Sequence, residues 1–218
     1  MPKAIKKKAE KKGKPEENIV GTIQEAIRRR QKTLLMSAGA ALAIMIIAAG
    51  AFYFLKSRAD KFEELNYTGY KLFYGIGTPM PPAERYKQAL AAFEEAGRIK
   101  KSPYTLYYAG ASRYELGDYD KALKSFSELK ASYPADENYL PLAGLKTAMI
   151  YIKTGRNEEA LKELDRLINS KNPSLRDTAL AESANLLKGM GREEEAAGRF
   201  QRLKKEFPES PYVKEEAP

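Results

Sequence analysis

Residues 106–134 read LYYAGASRYELGDYDKALKSFSELKASYP, and the order of small, aromatic and helix-ending residues in them decides the fold. Gly117 is followed by Ala122, Phe126, Leu129 and Pro134. The same succession returns as Gly155, Ala160, Leu164, Leu167 and Pro173, and again as Gly191, Ala196, Phe200, Leu203 and Pro208. The glycines are spaced by 38 and then 36 residues, and self-similarity at a fixed period of this size marks stacked helical hairpins. Each position has a physical task. The glycine ends a first helix where φ must turn positive, and the alanine lets the second helix approach closely. Phe or Leu then fills the space between the two, and proline stops the second helix. An ordinary bundle has no reason to hold these positions in register three times.

A fourth, degenerate unit comes first. Tyr86, Ala89, Phe93 and Ala96 fall on second-helix positions, and residues 61–74 supply a first helix, separated from them by a Gly/Pro-rich insertion over residues 75–82. A further insertion falls between Pro134 and Pro141. The pattern resembles the tetratricopeptide family, most fully in residues 106–134, where Ala109-Gly110, Gly117-Asp118-Tyr119, Ala122, Phe126 and Pro134 match it. The resemblance implies a tetratricopeptide-like helical solenoid, and with the apolar run that precedes it the chain reads as all-α, one N-terminal transmembrane helix followed by that solenoid. Three positions depart from it. The late aromatic of the first helix is displaced to Tyr114, Gly144 replaces a large residue, and Leu187 stands in place of a tyrosine.

Upstream of the repeats, residues 33–55 are twenty-three residues without a charge, bounded by Lys32 and Lys56. As a helix they cover ~34 Å, enough to cross a hydrocarbon core of about 30 Å. Arg28, Arg29, Arg30 and Lys32 stand directly before this run, so the positive-inside rule puts the N-terminus in the cytoplasm and the repeats outside it, as for a bacterial inner-membrane protein with a periplasmic domain. Phe52, Tyr53 and Phe54 mark the far interface. Ala49-Gly50-Ala51 has the form of a signal-peptidase site, but the apolar run continues past it and the preceding region is thirty-two residues long, which favours an uncleaved anchor.

Residues 1–32 hold eleven Lys/Arg against four Glu, so +7 of the net +9 lies in this tail. Residues 1–14 lack the apolar groups that offset chain entropy and read as disordered; without aromatic interleaving the lysine runs point to solvent or phospholipid, not to specific nucleic acid. Asn18 is placed to cap a short amphipathic helix carrying Ile19, Val20, Ile23, Ala26 and Ile27. That face suits either the membrane interface or a partner. The chain thus divides into a basic tail with this helix (1–32), a span (33–55), a repeat domain (56–212) and a C-terminal tail (213–218).

The sequence has no Cys, His or Trp, which removes disulfides, thiolate nucleophiles, imidazole bases and the usual zinc ligands. No Gly-rich phosphate loop and no paired catalytic carboxylates stand out, so the reading is a protein without catalytic residues, metal or cofactor. In the family resembled, one stripe of each first helix lines the concave face. Here it runs Tyr104, Tyr107, Ala111 and Tyr114, then Leu142, Leu145, Met149 and Ile152, then Thr178, Ala181, Asn185 and Lys188, with Tyr67, Tyr70 and Tyr74 extending its aromatic end. The candidate partner groove is accordingly Tyr67, Tyr70, Tyr74, Tyr104, Tyr107, Tyr114, Leu142, Leu145, Met149 and Ile152. Tyrosine offers broad, rigid contact area for varied polypeptide segments, while rings at helical spacing equally suit the core. Only Asn185 and Lys188 are of the type that clamps a peptide carboxylate, so a terminal carboxylate is not the expected ligand.

The whole layout, with residues 18–32 leading directly into the span, resembles the ancillary subunit of the bacterial Sec translocon. That resemblance implies binding of periplasmic chaperones or emerging secreted chains beside the translocon; a scaffold for another cell-envelope complex is the alternative. Mass measurement of the mature N-terminus tests the anchor: residues 33–55 should be retained, and a chain beginning after Ala51 overturns that reading.

Overall fold

A computed structural model describes residues 18–214, and these are helical throughout, joined by short turns. The basic run over residues 1–14 and the last four residues lie outside the described residues, as does the side chain of Asn18. The chain divides after Lys56 into two units, Met1–Lys56 and Ser57–Pro218.

The first unit consists of the beginning of α1 (Asn18–Tyr74). Its apolar side chains are uncovered, with Leu34 66%, Ile47 71% and Phe52 70% exposed, a surface that water penalises and lipid does not. Thr33 Oγ1 donates to Arg29 O at 2.9 Å and Ser37 Oγ to Leu34 O at 2.9 Å. Both hydroxyls are thus satisfied on the helix itself, as an apolar medium requires. Among the described residues α1 is the one helix long and apolar enough to cross a membrane.

The second unit starts with the end of α1 and continues through α2 (Pro82–Ile99), α3 (Pro103–Glu115), α4 (Tyr119–Ser132), α5 (Tyr139–Lys153), α6 (Asn157–Ile168), α7 (Arg176–Gly189), α8 (Glu193–Glu206) and the short α9 (Pro211–Lys214). α3 packs on α4, α5 on α6 and α7 on α8, and each hairpin leans on the next. The hairpins close in one way. Gly117, Gly155 and Gly191 have φ of 79°, 72° and 74°. The residue after each donates its N–H back to the preceding turn: Asp118 to Arg113 O, Arg156 to Tyr151 O and Arg192 to Leu187 O. This is the Schellman closure, which satisfies carbonyls that a helix end otherwise leaves open. Gly75, at φ 69°, closes α1 likewise through Ile76 N–H to Lys71 O, so the insertion over residues 75–82 begins with the same device. Arg85 Nη1 covers the neighbouring carbonyls of Leu72 and Phe73 at 3.3 Å each.

Helix starts are more varied than helix ends. Pro82 and Pro103 open α2 and α3, where the missing N–H costs nothing. Ser102 and Thr105 form a reciprocal capping box, Ser102 Oγ accepting from Thr105 N–H and Thr105 Oγ1 from Ser102 N–H, both at 3.1 Å. Turns at the opposite end of the hairpins are stitched together: Tyr133 OH donates to Lys101 O at 2.9 Å and Asn172 Nδ2 to Glu137 O at 2.8 Å.

Inside each hairpin small residues let the two helices approach. On the second helices Ala122, Ala160 and Ala196 are buried, as are Phe126, Leu129, Leu164, Leu167 and Leu203. At Gly110 a Cβ would fall 2.6 Å from Phe126 Cε1, and at Gly69 one would fall 2.7 Å from Phe93 Cε1. The register equivalents of Gly110 and Phe126 in the next hairpin are Ala148 and Leu164, both fully buried in one cluster. A smaller partner there leaves room for a methyl group.

This yields a paired test. Gly110→Ala should lower stability by about 1–3 kcal/mol, because the ring must leave its place. Adding Phe126→Leu copies the Ala148 and Leu164 pair and should recover part of that loss, a non-additivity read by thermal denaturation of the two single variants and the double one. Strict additivity would show that the two positions do not share the contact.

Candidate functional site

Aromatic side chains from four helices converge at Tyr108. It comes from α3, is 7% exposed, and its ring meets Phe93 of α2 in a stacked arrangement at 5.2 Å between centroids. Phe73 of α1 lies at 5.5 Å, Tyr104 at 4.6 Å, Tyr107 at 5.1 Å and Tyr139 of α5 at 6.3 Å. Tyr70 and Tyr74 complete the ring of neighbours at 6.1 and 6.3 Å. Edge-to-face and offset contacts such as these add to simple burial. Tyr107 joins the cluster to α4 through Phe126, at 6.1 Å.

The cluster has a dry side and a wet side. Burial pushes the phenols of Tyr104, Tyr107 and Tyr108 above their ordinary range, Tyr107 to about 12. Tyr108 is raised chiefly by burial and then by its hydroxyl contact with Tyr74, at 3.3 Å. Tyr70 and Tyr74 carry the same ring contacts to the surface, where they are 38% and 54% exposed; Tyr67, one turn earlier, is 66% exposed. Ile76 and Met80 of the following turn are also open. Together these make an apolar edge of polar-tipped rings resting on a rigid aromatic interior.

The stripe expected from the sequence is therefore split by the fold. Tyr67, Tyr70 and Tyr74 form the open edge, and Tyr104 is half-buried behind it. Tyr107 is a core residue, 9% exposed, and offers a partner little area. Tyr114 is apart from the cluster, against Tyr119, with Lys146 Nζ 4.2 Å and Lys153 Nζ 6.0 Å from its centroid. Its face is thus covered by cations. Leu142 and Leu145 are half-buried and pack against the cores of successive hairpins. Met149 and Ile152 are half-buried as well. Tyr108, Phe73 and Tyr139 were not among the candidates, although Tyr104 and Tyr108 stand one helical turn apart in the sequence, a spacing that shows they share a face.

A second feature lies between α4, α5 and α6. A cleft of ≈690 Å³ has Leu123, Phe126, Leu140, Gly144 and Leu167 in its walls. Gly144 occupies the register position that holds Leu106 in the preceding hairpin and Leu180 in the following one, and Leu167 packs against it, 3.3 Å from where a Cβ would stand. Its rim is of mixed charge: Glu163 is held by Lys130 and Arg166, while Lys124, Lys171, Asp136 and Glu137 remain around it. Charge does not select an occupant there. Among the described residues no group of three His, Cys, Asp or Glu is placed to hold a metal ion.

Comparison with known proteins adds two findings. The sequence profile of the family described as YfiO, outer membrane lipoprotein, matches residues 99–217. Among solved structures, a MamA RS-1 ArsTM double mutant superposes with a TM-score of 0.55 at 19% identity, covering 69% of this chain and 78% of that one. MamA AMB-1 gives a TM-score of 0.31 at 14% identity, over 74% of this chain and 98% of that one. No curated protein matches the sequence. The likeness to MamA RS-1 shows the fold, an all-α tetratricopeptide-like stack of helices.

The buried phenols set an alkaline limit. Between pH ~10, where free tyrosine ionises, and about 12 for Tyr107, the folded chain holds more protons than the unfolded one. Stability should be independent of these groups below that window and fall as pH rises through it. Tyrosinate absorbance followed with helicity should show the buried rings ionising together with loss of structure; ionisation of every tyrosine near its ordinary value with helicity intact would refute a dry cluster.

Proposed function

This chain belongs to the YfiO family of outer membrane lipoproteins, and we propose that it is a membrane-anchored protein-interaction module that binds polypeptide segments at the Tyr67, Tyr70 and Tyr74 edge. The observation that carries this reading is the exposed edge itself: three tyrosines, Ile76 and Met80 open to solvent on an aromatic cluster whose other members are held rigid. Rigid, amphipathic rings lose little entropy on contact and accept varied partners. The aliphatic positions Leu142, Leu145, Met149 and Ile152, all half-buried on α5, are assigned to the same groove.

The finer reading is that the module serves the Sec translocon from the periplasmic side of the bacterial inner membrane, receiving periplasmic chaperones or emerging secreted chains. What supports it is the order of parts: arginines before the span, an exposed apolar helix, then the repeats. The family's description names a lipoprotein, yet a cysteine-linked lipid has no attachment point within these 218 residues, which contain no cysteine. The family match also begins at residue 99, beyond α1. Membrane attachment of this chain is therefore assigned to α1. A scaffold for a different envelope assembly is the second reading, favoured by a family description that names the outer membrane. Both are roles without catalysis.

The test is photo-crosslinking in intact cells from positions 67 and 74. Adducts to translocon subunits, chaperones or secreted chains are expected; adducts confined to another envelope complex would transfer the chain to the second reading. In parallel, replacing Tyr67, Tyr70 and Tyr74 together by Ala should abolish most adducts formed from position 149 while leaving helicity intact. Tyr108→Ala should reduce both, since about 3–5 kcal/mol is lost when a buried ring is truncated.

A further inference from the structure

The hollow where α5, α6 and α7 meet is lined by Ile152, Asn157, Glu182, Asn185, Leu186 and Met190 and measures ≈380 Å³. Its one charged member is Glu182, half-buried on α7. Among the described residues it makes neither an ion pair nor a hydrogen bond, and burial alone pushes its carboxyl above the usual range. A desolvated carboxylate without a counter-charge is costly to keep.

The repeat register shows what is missing. In the preceding interface Lys146 of α5 reaches back to Glu115 at the end of α3, at 3.1 Å. The same two register positions one hairpin later are Glu182 and Lys153, so the pair recurs with its signs exchanged. There it is open: Lys153 Nζ is turned toward Tyr114, 6.0 Å from its centroid. Other cations around the α5–α6 and α7–α8 turns are engaged elsewhere, Arg156 with Glu159 at 3.0 Å and Arg192 with Glu158 at 3.1 Å and Glu195 at 2.6 Å.

We propose that this hollow receives a lysine or arginine side chain of a bound polypeptide segment. Glu182 takes the charge, the amide oxygens of Asn157 and Asn185 accept the remaining N–H donors, and Ile152, Leu186 and Met190 cover the methylene stem. The inference rests on the reading of this domain as a polypeptide binder, and adds to it a preference for basic residues at one position of the bound segment. Such a pocket is the electrostatic opposite of a carboxylate clamp.

The experiment selects short random peptides, displayed on phage, against the full chain in lipid nanodiscs. Peptides enriched in Lys or Arg at one position are expected. The best of them, made synthetically with a fluorophore, should bind about tenfold more weakly after Glu182→Gln or after its own basic residue is changed to Met, with no further loss when both changes are combined. Glu182→Gln is isosteric and removes the desolvated charge, so a thermal midpoint equal to or above that of the parent confirms its fold. Lys153→Met should leave binding unchanged or tighten it; loss of binding would mean that Lys153 is the contact and would overturn the proposal. Selected peptides with no basic preference, or binding indifferent to Glu182→Gln, sink this inference and leave the polypeptide-binding reading standing. Failure to select any peptide counts against both.

Discussion

Two helices of a hairpin approach closely only where one of them gives up its side chain. At Gly110 that surrender is complete, since a single methyl group would sit 2.6 Å from the Phe126 ring. Gly69 and Phe93 repeat the contact one hairpin earlier, while Ala148 with Leu164 keeps the same sum of sizes by a different division. The turn that brings the partners face to face is the left-handed glycine at 75, 117, 155 or 191. Everything else in the second unit depends on this spacing. It places the second helix of one hairpin against the first helix of the next, and the buried residues fall into clusters of which the two larger ones meet on α5, through Ala143 and Ile150 in one and Ala148 in the other.

The aromatic cluster is a consequence of that stacking and ends in exposed rings at one edge of the domain. Tyr108 brings α1, α2, α3 and α5 to one point. Rings held from several sides have little freedom left to lose, and the same ring contacts reach the exposed Tyr70 and Tyr74. The far end of the domain is of a different kind. Its hollow offers one carboxylate and two amides, and the cations nearby are committed to other partners. A bound segment would meet aromatic area at one end and a demand for positive charge at the other.

Attachment to a membrane follows from a separate constraint. From Leu34 to Leu55 the side chains of α1 are uncovered, and the two hydroxyls near its start are satisfied on the helix backbone. Such a surface has no folded partner within the described residues and suits a medium that neither donates nor accepts hydrogen bonds. The family to which the chain belongs is described by a lipid anchor, for which a sequence without cysteine supplies no thiol.

Most of the backbone was legible because it is local. Gly followed by Ala, a large apolar residue and Pro at fixed offsets predicts a turn, a close approach, a filled gap and a stop, and each arises from residues near in sequence. Gly75 belonged to this set but was hidden by the insertion that follows it. The surface was less legible. A stripe of tyrosines at helical spacing has one meaning in a lone helix and several in a stack, because which flank of α3 is covered depends on α1 and α5. Those neighbours bury Tyr107 and Tyr108 and leave Tyr70 and Tyr74 open. The cleft beside Gly144 and the unpaired Glu182 likewise exist only between hairpins. The amino-acid sequence by itself determined the helices, their turns, the repeat and the apolar span, since short-range sterics and patterning govern these. Only the tertiary structure decided which rings are core, which are surface and which charge lacks a partner, because burial and pairing belong to residues that the chain brings together from far apart.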